Sequence, residues 1–267
     1  MIERKGPKEG RIWPPEVRRR AIAERLRAQG GRSVSDLESE FEVSAMTIRR
    51  DLSELERQGL AKRTYGGALA PGLAAHEDSF SQRSNVDVEI KQRLAVAAAA
   101  LVEPEETVFV DSSSSAYYVA RQIIANGIPS TIVTNSLPVM QLFASAVANV
   151  ELTGVGGWLR GLTLSLVGPT AVHTIREHFA DKLFLSVKGI ASDGSLTDPD
   201  PLECEVKRAM IDRAEESILL LQPRKLLERG SHLIASCDRL SLVLSADLSP
   251  NQVRQLEGTG VKLRCVD

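Results

Sequence analysis

The chain has 267 residues, enough for one large or two modest domains, each with a hydrophobic core of its own. Its composition, 43% hydrophobic and 25% charged, is that of an ordinary soluble globular protein, and a net charge of −2 excludes binding of a polyanion by bulk charge alone. The charge is unevenly distributed. Residues 1–66 hold 15 Lys and Arg against 11 Asp and Glu, a net of +4, which leaves −6 for the remainder. This asymmetry fits a basic nucleic-acid-binding domain attached to an acidic second part of the chain.

Residues 1–14 are polar and interrupted by glycine and proline, which predicts a flexible tail. They contain no apolar core of signal-peptide length, and the longest apolar run, residues 94–102, is too short to span a bilayer. We therefore expect a cytoplasmic protein with no membrane partner. The scattered cysteines, Cys204, Cys237 and Cys265, favour reduced thiols over disulfides or zinc, and we expect neither a metal nor a cofactor.

The first two predicted helices are Pro15–Gln29 and Ser33–Val43. The first begins at a Pro-Pro pair, which is a common helix start, and its apolar positions are Val17, Ile22 and Leu26. The second carries Leu37 and Phe41 as an i, i+4 apolar pair. Two pairs of residues have capping-box spacing for this helix, namely Ser33 with Asp36 and Ser35 with Glu38.

The third predicted helix spans Ser44–Leu60, with Ser44 as its N-cap and Gly59 as its stop. Its buried stripe is formed by Ile48, Leu52 and Leu55. Its tip carries small and polar residues, then two arginines: Ala45, Met46, Thr47, Arg49 and Arg50. A helix of this kind can enter a DNA major groove. Taken alone, however, it is better explained as a solvated surface helix with two arginines.

The flanking segments favour DNA binding over a solvated helix. Three helices with a short turn between the second and third form a helix-turn-helix. Residues 60–67 then predict a strand that runs into a glycine turn, a basic wing beside the third helix. The candidate DNA-binding residues are Ser33, Ser35, Ser44, Ala45, Met46, Thr47, Arg49, Arg50, Lys62, Arg63 and Tyr65.

The run from Arg20 to Gly67 also resembles the DNA-binding domain of the DeoR family of bacterial sugar-metabolism repressors. The resemblance is carried by the segment TIRRDL, the Leu-Glu that follows it, a glycine-leucine pair and the Gly-Gly of the wing. It implies that Arg49 and Arg50 lie on the recognition helix and that Ser44–Thr47 approach base edges or phosphates. The implied partner is double-stranded operator DNA.

The winged helix-turn-helix is expected over residues 15–68, and residues 69–79, rich in Gly, Ala and Pro, are the expected linker. Beyond them, from residue 80 to residue 267, short β-branched runs alternate with helix-length segments. The predicted strands are residues 107–111, 131–134, 150–153, 182–187, 217–221, 240–244 and 261–266. The predicted helices are residues 89–102, 116–125, 138–146, 170–179, 203–215 and 251–257. This alternation predicts a doubly wound α/β sheet.

In such a sheet, ligands bind beyond the carboxyl ends of the strands. The residues that follow the first four strands are Asp111, Ser112, Ser113, Ser114 and Ser115; Thr134, Asn135 and Ser136; Gly156 and Gly157; and Lys188. Hydroxyl groups and backbone N–H groups at helix N-termini can bind a phosphate. In any one loop, a simple helix cap explains these residues about as well. Four such loops at one sheet edge favour an anionic ligand that bears hydroxyl groups.

This half of the chain is similar to the sensor domain of the same family, on the segments TVFVDSSSS, TIVTNSL, GVGG, LVGPTA, FLSVKGI and ECEVKRAM. The family's fold is similar to that of ribose-5-phosphate isomerase and the CoA-transferase group. The resemblance implies a phosphorylated sugar as inducer, a phosphate loop at Asp111–Ser115, a sugar site at Thr134–Ser136 and Lys207 as the cation of the pocket.

The sequence departs from the family pattern in two segments. Ser113–Ser115 stand where the family usually has Gly-Thr-Thr, so the hydroxyl groups persist and the glycine does not. Residues 222–225, Gln-Pro-Arg-Lys, stand where the family often has Asp-x-Ser-Lys, and only Lys225 persists. These departures bear on the identity of the effector rather than on the class of domain.

Two function classes follow. The first is a transcriptional regulator, most simply a repressor, in which effector binding and operator binding are linked. Because helix-turn-helix proteins read paired half-sites, we expect at least a homodimer, and the family resemblance makes a homotetramer the further expectation. The alternative is an isomerase-like enzyme fused to a DNA-binding domain, with Asp111 or Glu205 as the proton-transfer group. Neither carboxylate has a second catalytic residue at a spacing that would identify a proton-transfer site. The helix-turn-helix, moreover, has no role in an isomerase.

Overall fold

The computed structural model describes residues 13–29, 31–58, 60–64, 66–69, 77–144, 149–226 and 228–266. The chain divides into two compact units, Met1–His76 and Glu77–Asp267. Residues 1–12 of the predicted tail and residues 70–76 of the predicted linker lie outside the described residues. No described helix combines the length and the apolar character that crossing a bilayer requires.

The first unit contains three helices and a small antiparallel sheet. The helices are α1 (Pro15–Gln29), α2 (Val34–Phe41) and α3 (Ala45–Arg57). The strands are β1 (Gly31–Ser33), β2 (Lys62–Thr64) and β3 (Gly67–Leu69), in the order β1-β3-β2. Gly67 is required in β3, because a Cβ there would lie 2.1 Å from the carbonyl oxygen of Arg32. The sequence predicted the wing but not β1, which is too short to display an alternating pattern.

Helix caps and apolar spacing account for the packing of this unit. Ser33 caps α2 through the capping box with Asp36, and Ser44 caps α3. The predicted apolar residues of α2 and α3 are all buried, as are Ile22 and Leu26 of α1. Val17, the third apolar position of α1, is 51% exposed. A step of five residues from Val17 to Ile22 turns the helix by about 500°, which places Val17 on another face. The predicted stop at Gly59 lies outside the described residues.

A buried ion pair joins α1 to α3. The Nε of Arg18 lies 2.5 Å from Oδ2 of Asp51, and the two side chains are 8% and 7% exposed. Arg18 also donates to the backbone carbonyl of Trp13 at 2.8 Å. The Nε of Arg19 lies 3.8 Å from the other carboxylate oxygen of Asp51. Asp51, on the core side of α3, therefore stabilises the packing of α1 against α3.

The second unit is an α/β domain. Its strands are β4 (Thr107–Val110), β5 (Ser130–Thr134), β6 (Val150–Gly154), β7 (Trp158–Arg160), β8 (Ser165–Val167), β9 (Ala180–Leu185), β10 (Gly189–Ile190), β11 (Ser195–Asp198), β12 (Ala214–Leu221), β13 (His232–Ser236), β14 (Leu242–Ser245) and β15 (Leu263–Cys265). Its helices are α4 (Phe80–Ser84), α5 (Val88–Ala99), α6 (Ser114–Asn126), α7 (Leu137–Phe143), α8 (Pro169–Arg176), α9 (Pro201–Arg213) and α10 (Pro250–Glu257).

Seven of these strands form a parallel sheet in the order β15-β14-β12-β9-β4-β5-β6. Both faces are covered. Along β12, Ile218 and Leu220 join one apolar cluster, with α5 and α6, while Leu219 and Leu221 join the other, with α8 and α9. A strand buried on both faces has an uninterrupted apolar run, which is why residues 218–221 read Ile-Leu-Leu-Leu. The predicted doubly wound α/β fold is confirmed.

Five strands outside the main sheet were not predicted. Strands β7 and β8 form an antiparallel hairpin, and β10, β11 and β13 form a second antiparallel sheet. These strands have two to five residues, too few for periodicity to identify them. The predicted fourth strand ends at Leu185 rather than at Val187, so Ser186, Val187 and Lys188 lie in a loop.

Candidate DNA-binding surface and ligand cleft

The exposed face of α3 is formed by residues at helical spacing, Met46, Arg49, Arg50 and Ser53. Met46, at the helix tip, is 57% exposed. Arg49 and Arg50 are exposed, and within the described part of the chain neither forms an ion pair. The first turn of α3 contains no acid. Two arginines without counter-charges on an exposed helix face are available to phosphates or to guanine edges.

The predicted hydroxyl residues lie at the N-termini of α2 and α3. The Ser33 hydroxyl accepts the backbone N–H of Asp36 at 3.0 Å and lies 2.9 Å from the Ser35 hydroxyl. The Ser44 hydroxyl lies 3.1 Å from that of Thr47 and accepts its backbone N–H. All four hydroxyl groups thus belong to capping networks, at helix ends whose dipole favours a phosphate.

The wing is joined to the C-terminal half of α3. Arg63 in β2 donates from its backbone to Glu56 at 2.9 Å and from its guanidinium to the Ser53 hydroxyl at 2.8 Å. Lys62 also lies in β2, Ala45 is the first residue of α3, and Tyr65 lies outside the described residues. The bond to Ser53 places the Arg63 cation at the same exposed face as Arg49 and Arg50.

In the second unit, a cleft of about 630 Å³, including its open mouth, lies at the carboxyl ends of β4, β9 and β12. These three strands are neighbours at the centre of the sheet. The predicted residues that line the cleft are Ser112, Ser113, Ser114, Lys188, Lys207 and Lys225. Loops far apart in the sequence therefore meet here, as expected for an open α/β sheet.

The N-terminus of α6 forms one wall. Ser113 is its N-cap and accepts the backbone N–H of Ala116 at 3.1 Å, while its own N–H donates to Asp111 at 2.9 Å. The backbone N–H groups of Ser114 and Ser115 belong to the first turn, which a helix cannot pair internally. The Ser114 hydroxyl lines the cleft and has no hydrogen bond to the described residues. This wall offers several donors to an anion.

Lys207 of α9 is the centre of the buried polar network. Its Nζ lies 2.5 Å from Asp111, 2.5 Å from the carbonyl of Ser186 and 3.3 Å from Asp198. Burial acts to lower the pKa of Lys207, but the charges of Asp111 and Asp198 outweigh it and hold the pKa above its usual value. Burial raises the pKa of Asp198 against the opposing charge of Lys207. Lys207 is therefore a charged residue compensated by carboxylates.

Glu203, one helical turn before Lys207, faces the same cleft. It accepts hydrogen bonds from Ser112 at 3.1 Å, from Ser165, and from Arg160 in the β7–β8 hairpin at 2.8 Å. Burial acts to raise the pKa of Glu203, but these donors and the charge of Lys207 keep the pKa below its usual value. Arg160 also binds Glu77 with two hydrogen bonds, at 2.7 and 3.1 Å.

Two cations of the cleft have no carboxylate partner among the described residues, Arg83 of α4 and Lys225. The Nε and Nη2 of Arg83 are buried without a hydrogen-bond partner. Lys225 donates to the Ser186 hydroxyl at 2.6 Å. Burial, followed by the nearby charge of Arg224, lowers the pKa of Lys225 well below its usual value. A half-buried guanidinium and a neighbouring amine that form no ion pair with the described residues fit an anionic ligand.

The remaining predicted residues do not line this cleft. Asp111 lies behind it, paired with Lys207, and the Ser115 hydroxyl accepts from Gln222. Thr134 donates to the carbonyl of Val110 at 2.6 Å, Asn135 donates to Leu166, and Ser136 caps α7. Gly156 and Gly157 pack against α8. Strands β5 and β6 lie toward one edge of the sheet, which carries their loops away from the β4–β9–β12 centre.

Sequence reasoning missed several residues of the cleft wall, namely Glu77, Asp78, Arg83, Thr163, Ser186, Asp198, Glu203, Gln222, Arg224 and Glu228. It nominated Glu205, which is exposed on the opposite face of α9. Helical spacing could have identified Glu203, because positions 203 and 207 share one face. Arg83 and the hairpin carried no local signal.

Both units match family models. Residues 18–72 match the DeoR-like helix-turn-helix domain, and residues 86–246 match the DeoR C terminal sensor domain. The chain belongs to the DeoR family. It is thus a DNA-binding transcriptional regulator, and relatives that are 31–33% identical are named as regulators or repressors, not enzymes.

Curated relatives align over nearly the whole chain. An HTH-type transcriptional regulator, GlpR, of Haloferax volcanii is 33% identical, over 92% of this chain and 96% of its own. The putative aga operon transcriptional repressor of Escherichia coli O157:H7 is 31% identical, over 96% and 95%. The glycerol-3-phosphate regulon repressor of Escherichia coli K12 is 30% identical, over 85% and 87%. Among solved structures, ribose 5 phosphate isomerase A from Neisseria gonorrhoeae is similar over 51% of this chain and 52% of its own, with 12% identity and a TM-score of 0.37.

Proposed function

We propose that this DeoR-family regulator is a repressor of a sugar or polyol catabolic operon. In this proposal α3 enters the major groove of operator DNA, and a phosphorylated sugar in the cleft of the second unit modulates DNA affinity. The observation that carries the DNA-binding half is the pair Arg49 and Arg50, which are exposed on the face of α3 and form no ion pair with the described residues. Names of relatives that refer to aga and glycerol-3-phosphate regulation support the class of regulated genes.

The DNA-binding half is tested with the full-length protein and a duplex that it selects from random sequence. Each arginine that contacts a phosphate adds about 0.9 to the slope of log K against log salt, and a base contact contributes about 1–3 kcal/mol. The Arg49→Ala, Arg50→Ala variant should therefore bind at least tenfold more weakly. Arg20→Ala, which removes an 86% exposed arginine of α1, is the matched control. If the control variant lost as much DNA affinity as the arginine-pair variant, the assignment of the α3 arginines to the DNA interface would be contradicted.

The effector half rests on the donors that converge in the cleft. The α6 N-terminus, the Ser114 hydroxyl, Arg83 and Lys225 together offer N–H and O–H groups and positive charge. The carboxylates of Asp198 and Glu203 are occupied by cations and hydroxyl groups, so their charge is compensated. A phosphate bound at α6 would supply the missing partners of Arg83 and Lys225.

Thermal unfolding of the full-length protein with a panel of sugar phosphates and their unphosphorylated parents tests this half. A ligand of the native state at 100 times its Kd stabilises by about 2.7 kcal/mol, which is readily measured as a rise in Tm. We expect a shift with a phosphate ester but not with its parent sugar. The shift should disappear in Arg83→Met and persist in Arg239→Met, whose guanidinium is paired with Asp212 and is absent from the cleft wall. Tm shifts of equal size with a phosphate ester and with its unphosphorylated parent would contradict the assignment.

We further propose that the regulator acts as a homodimer or homotetramer. A helix-turn-helix dimer would bind half-sites separated by about one helical turn or a multiple of it. Light scattering with and without the selected duplex measures the assembly directly. A monomer under both conditions would exclude this part of the proposal.

A further inference from the structure

The side-chain amide of Gln222 lines the cleft and is not used by the proposed phosphate site. This residue directly follows β12 and is 0% exposed. Its Nε2 donates to the Ser115 hydroxyl at 2.7 Å. Its Oε1 is buried and has no hydrogen-bond partner among the residues that the structure describes. A buried amide oxygen without a partner is costly, which points to a donor from outside the chain.

The chemistry of that donor follows from the neighbouring groups. The two cleft cations without a carboxylate partner among the described residues, Arg83 and Lys225, do not hydrogen-bond to Gln222 Oε1. A dianionic phosphate has only acceptor oxygens, so it can satisfy Arg83 and the α6 N-terminus but not a second acceptor. A hydroxyl group can donate. A hydroxyl group on the carbon skeleton attached to the phosphate could therefore donate to Gln222 Oε1.

We propose that Gln222 is a specificity-determining residue of the cleft, accepting a hydrogen bond from a ligand hydroxyl close to the phosphate. This inference rests on the proposed binding of a phosphate ester in the cleft. A neutral amide keeps the acceptor oxygen without placing another negative charge beside a phosphate. Gln222 thereby selects polyol and sugar phosphates over phosphate esters that lack hydroxyl groups.

Calorimetric titration of the full-length protein separates the hydroxyl contact from the phosphate contact. The probes are glycerol 3-phosphate, ribose 5-phosphate and fructose 6-phosphate. Propyl phosphate is the control ligand, because its carbon chain has no hydroxyl group. Gln222→Met keeps the volume and removes the acceptor. It should reduce the preference for the best-binding hydroxylated probe over propyl phosphate by roughly tenfold, the size of one hydrogen bond. Its affinity for propyl phosphate should be unchanged.

Two further variants distinguish recognition from structural damage. Gln252→Met makes the same change at a glutamine of α10 that donates to the carbonyl of Pro223, next to Gln222, but is absent from the cleft wall. It should leave the preference intact. Gln222→Glu retains an acceptor oxygen, so it should keep the preference while its charge weakens the binding of all the phosphate probes. Loss of the preference in Gln222→Glu would show that the amide donates rather than accepts, and would overturn the assignment.

The remaining outcomes separate this inference from the proposed function. If Gln222→Met weakens propyl phosphate as much as the hydroxylated probes, Gln222 has only a structural role. If the hydroxylated probes bind and the preference is unchanged in Gln222→Met, the assignment of Gln222 fails while the phosphate site stands. If no phosphate binds the wild-type protein, the proposed effector site is wrong and the role of Gln222 falls with it.

Discussion

Replacing Asp51 by alanine should destabilise the DNA-binding unit without touching its DNA-facing surface. The substitution leaves Arg18, only 8% exposed, without a counter-charge. Removing one partner of a buried ion pair typically costs about 3–5 kcal/mol, because the other charge stays desolvated. With a side chain so little exposed, we expect about 3 kcal/mol or more. A domain this small loses about 4–8 °C in Tm per kcal/mol, so the decrease should exceed about 12 °C.

Urea unfolding followed by tryptophan fluorescence measures this loss. The chain has two tryptophans, and Trp13 packs edge-on against Phe41 with ring centroids 5.3 Å apart. In a Trp158→Phe background, the signal reports on the first unit alone. The double variant Arg18→Met, Asp51→Leu should recover most of the stability, since no charge remains buried. A loss below about 1 kcal/mol in Asp51→Ala, the range of a solvated surface pair, would refute the reasoning.

Three further predictions concern titratable groups of the second unit. A bound phosphate should raise the lowered pKa of Lys225. At alkaline pH, calorimetry in buffers of different ionisation enthalpy should therefore detect proton uptake that is absent in Lys225→Met, and affinity should fall as the pH rises. Burial, followed by the charge of Arg224, lowers the pKa of Lys91 from 10.5 to about 8, so the folded chain binds fewer protons than the unfolded chain between these values. Stability against urea should therefore rise with pH across this window, and less steeply in Lys91→Met. A thiol reagent at pH 8 should modify the exposed Cys265 rapidly and the buried Cys204 and Cys237 only after unfolding, because burial raises the pKa of both thiols.

The elements of the fold were predictable where the signal is local. Helix α3 has its N-cap, its apolar stripe and its arginines within one segment. The apolar run of β12 reflects the burial of this strand on both faces. The N-terminus of α6 was likewise predictable, because a serine cluster follows a β-branched strand. In these cases the residues that decide the structure are separated by no more than a few positions.

The cleft was only partly predictable, because its pairings join residues that are distant in the sequence. Arg160 binds Glu77 and Glu203, which are 83 and 43 positions away. Ser112 and Glu203 are separated by 91 positions. No periodicity links such residues, so a composition-based boundary assigned Glu77 to a linker. The choice of Glu203 over Glu205 depends on which face of α9 meets the sheet, which is a property of tertiary packing.

The position of Arg83 and α4 affects how the sensor half can be isolated as a recombinant fragment. The family match begins at residue 86, after Glu77, Asp78 and Arg83, and ends at residue 246, before α10 and β15. A fragment with those limits would lack three side chains of the cleft wall. It would also leave β14 as an uncovered edge, whose unpaired backbone groups invite aggregation. A fragment that starts at Glu77 and continues through β15 retains both the wall and the edge strand.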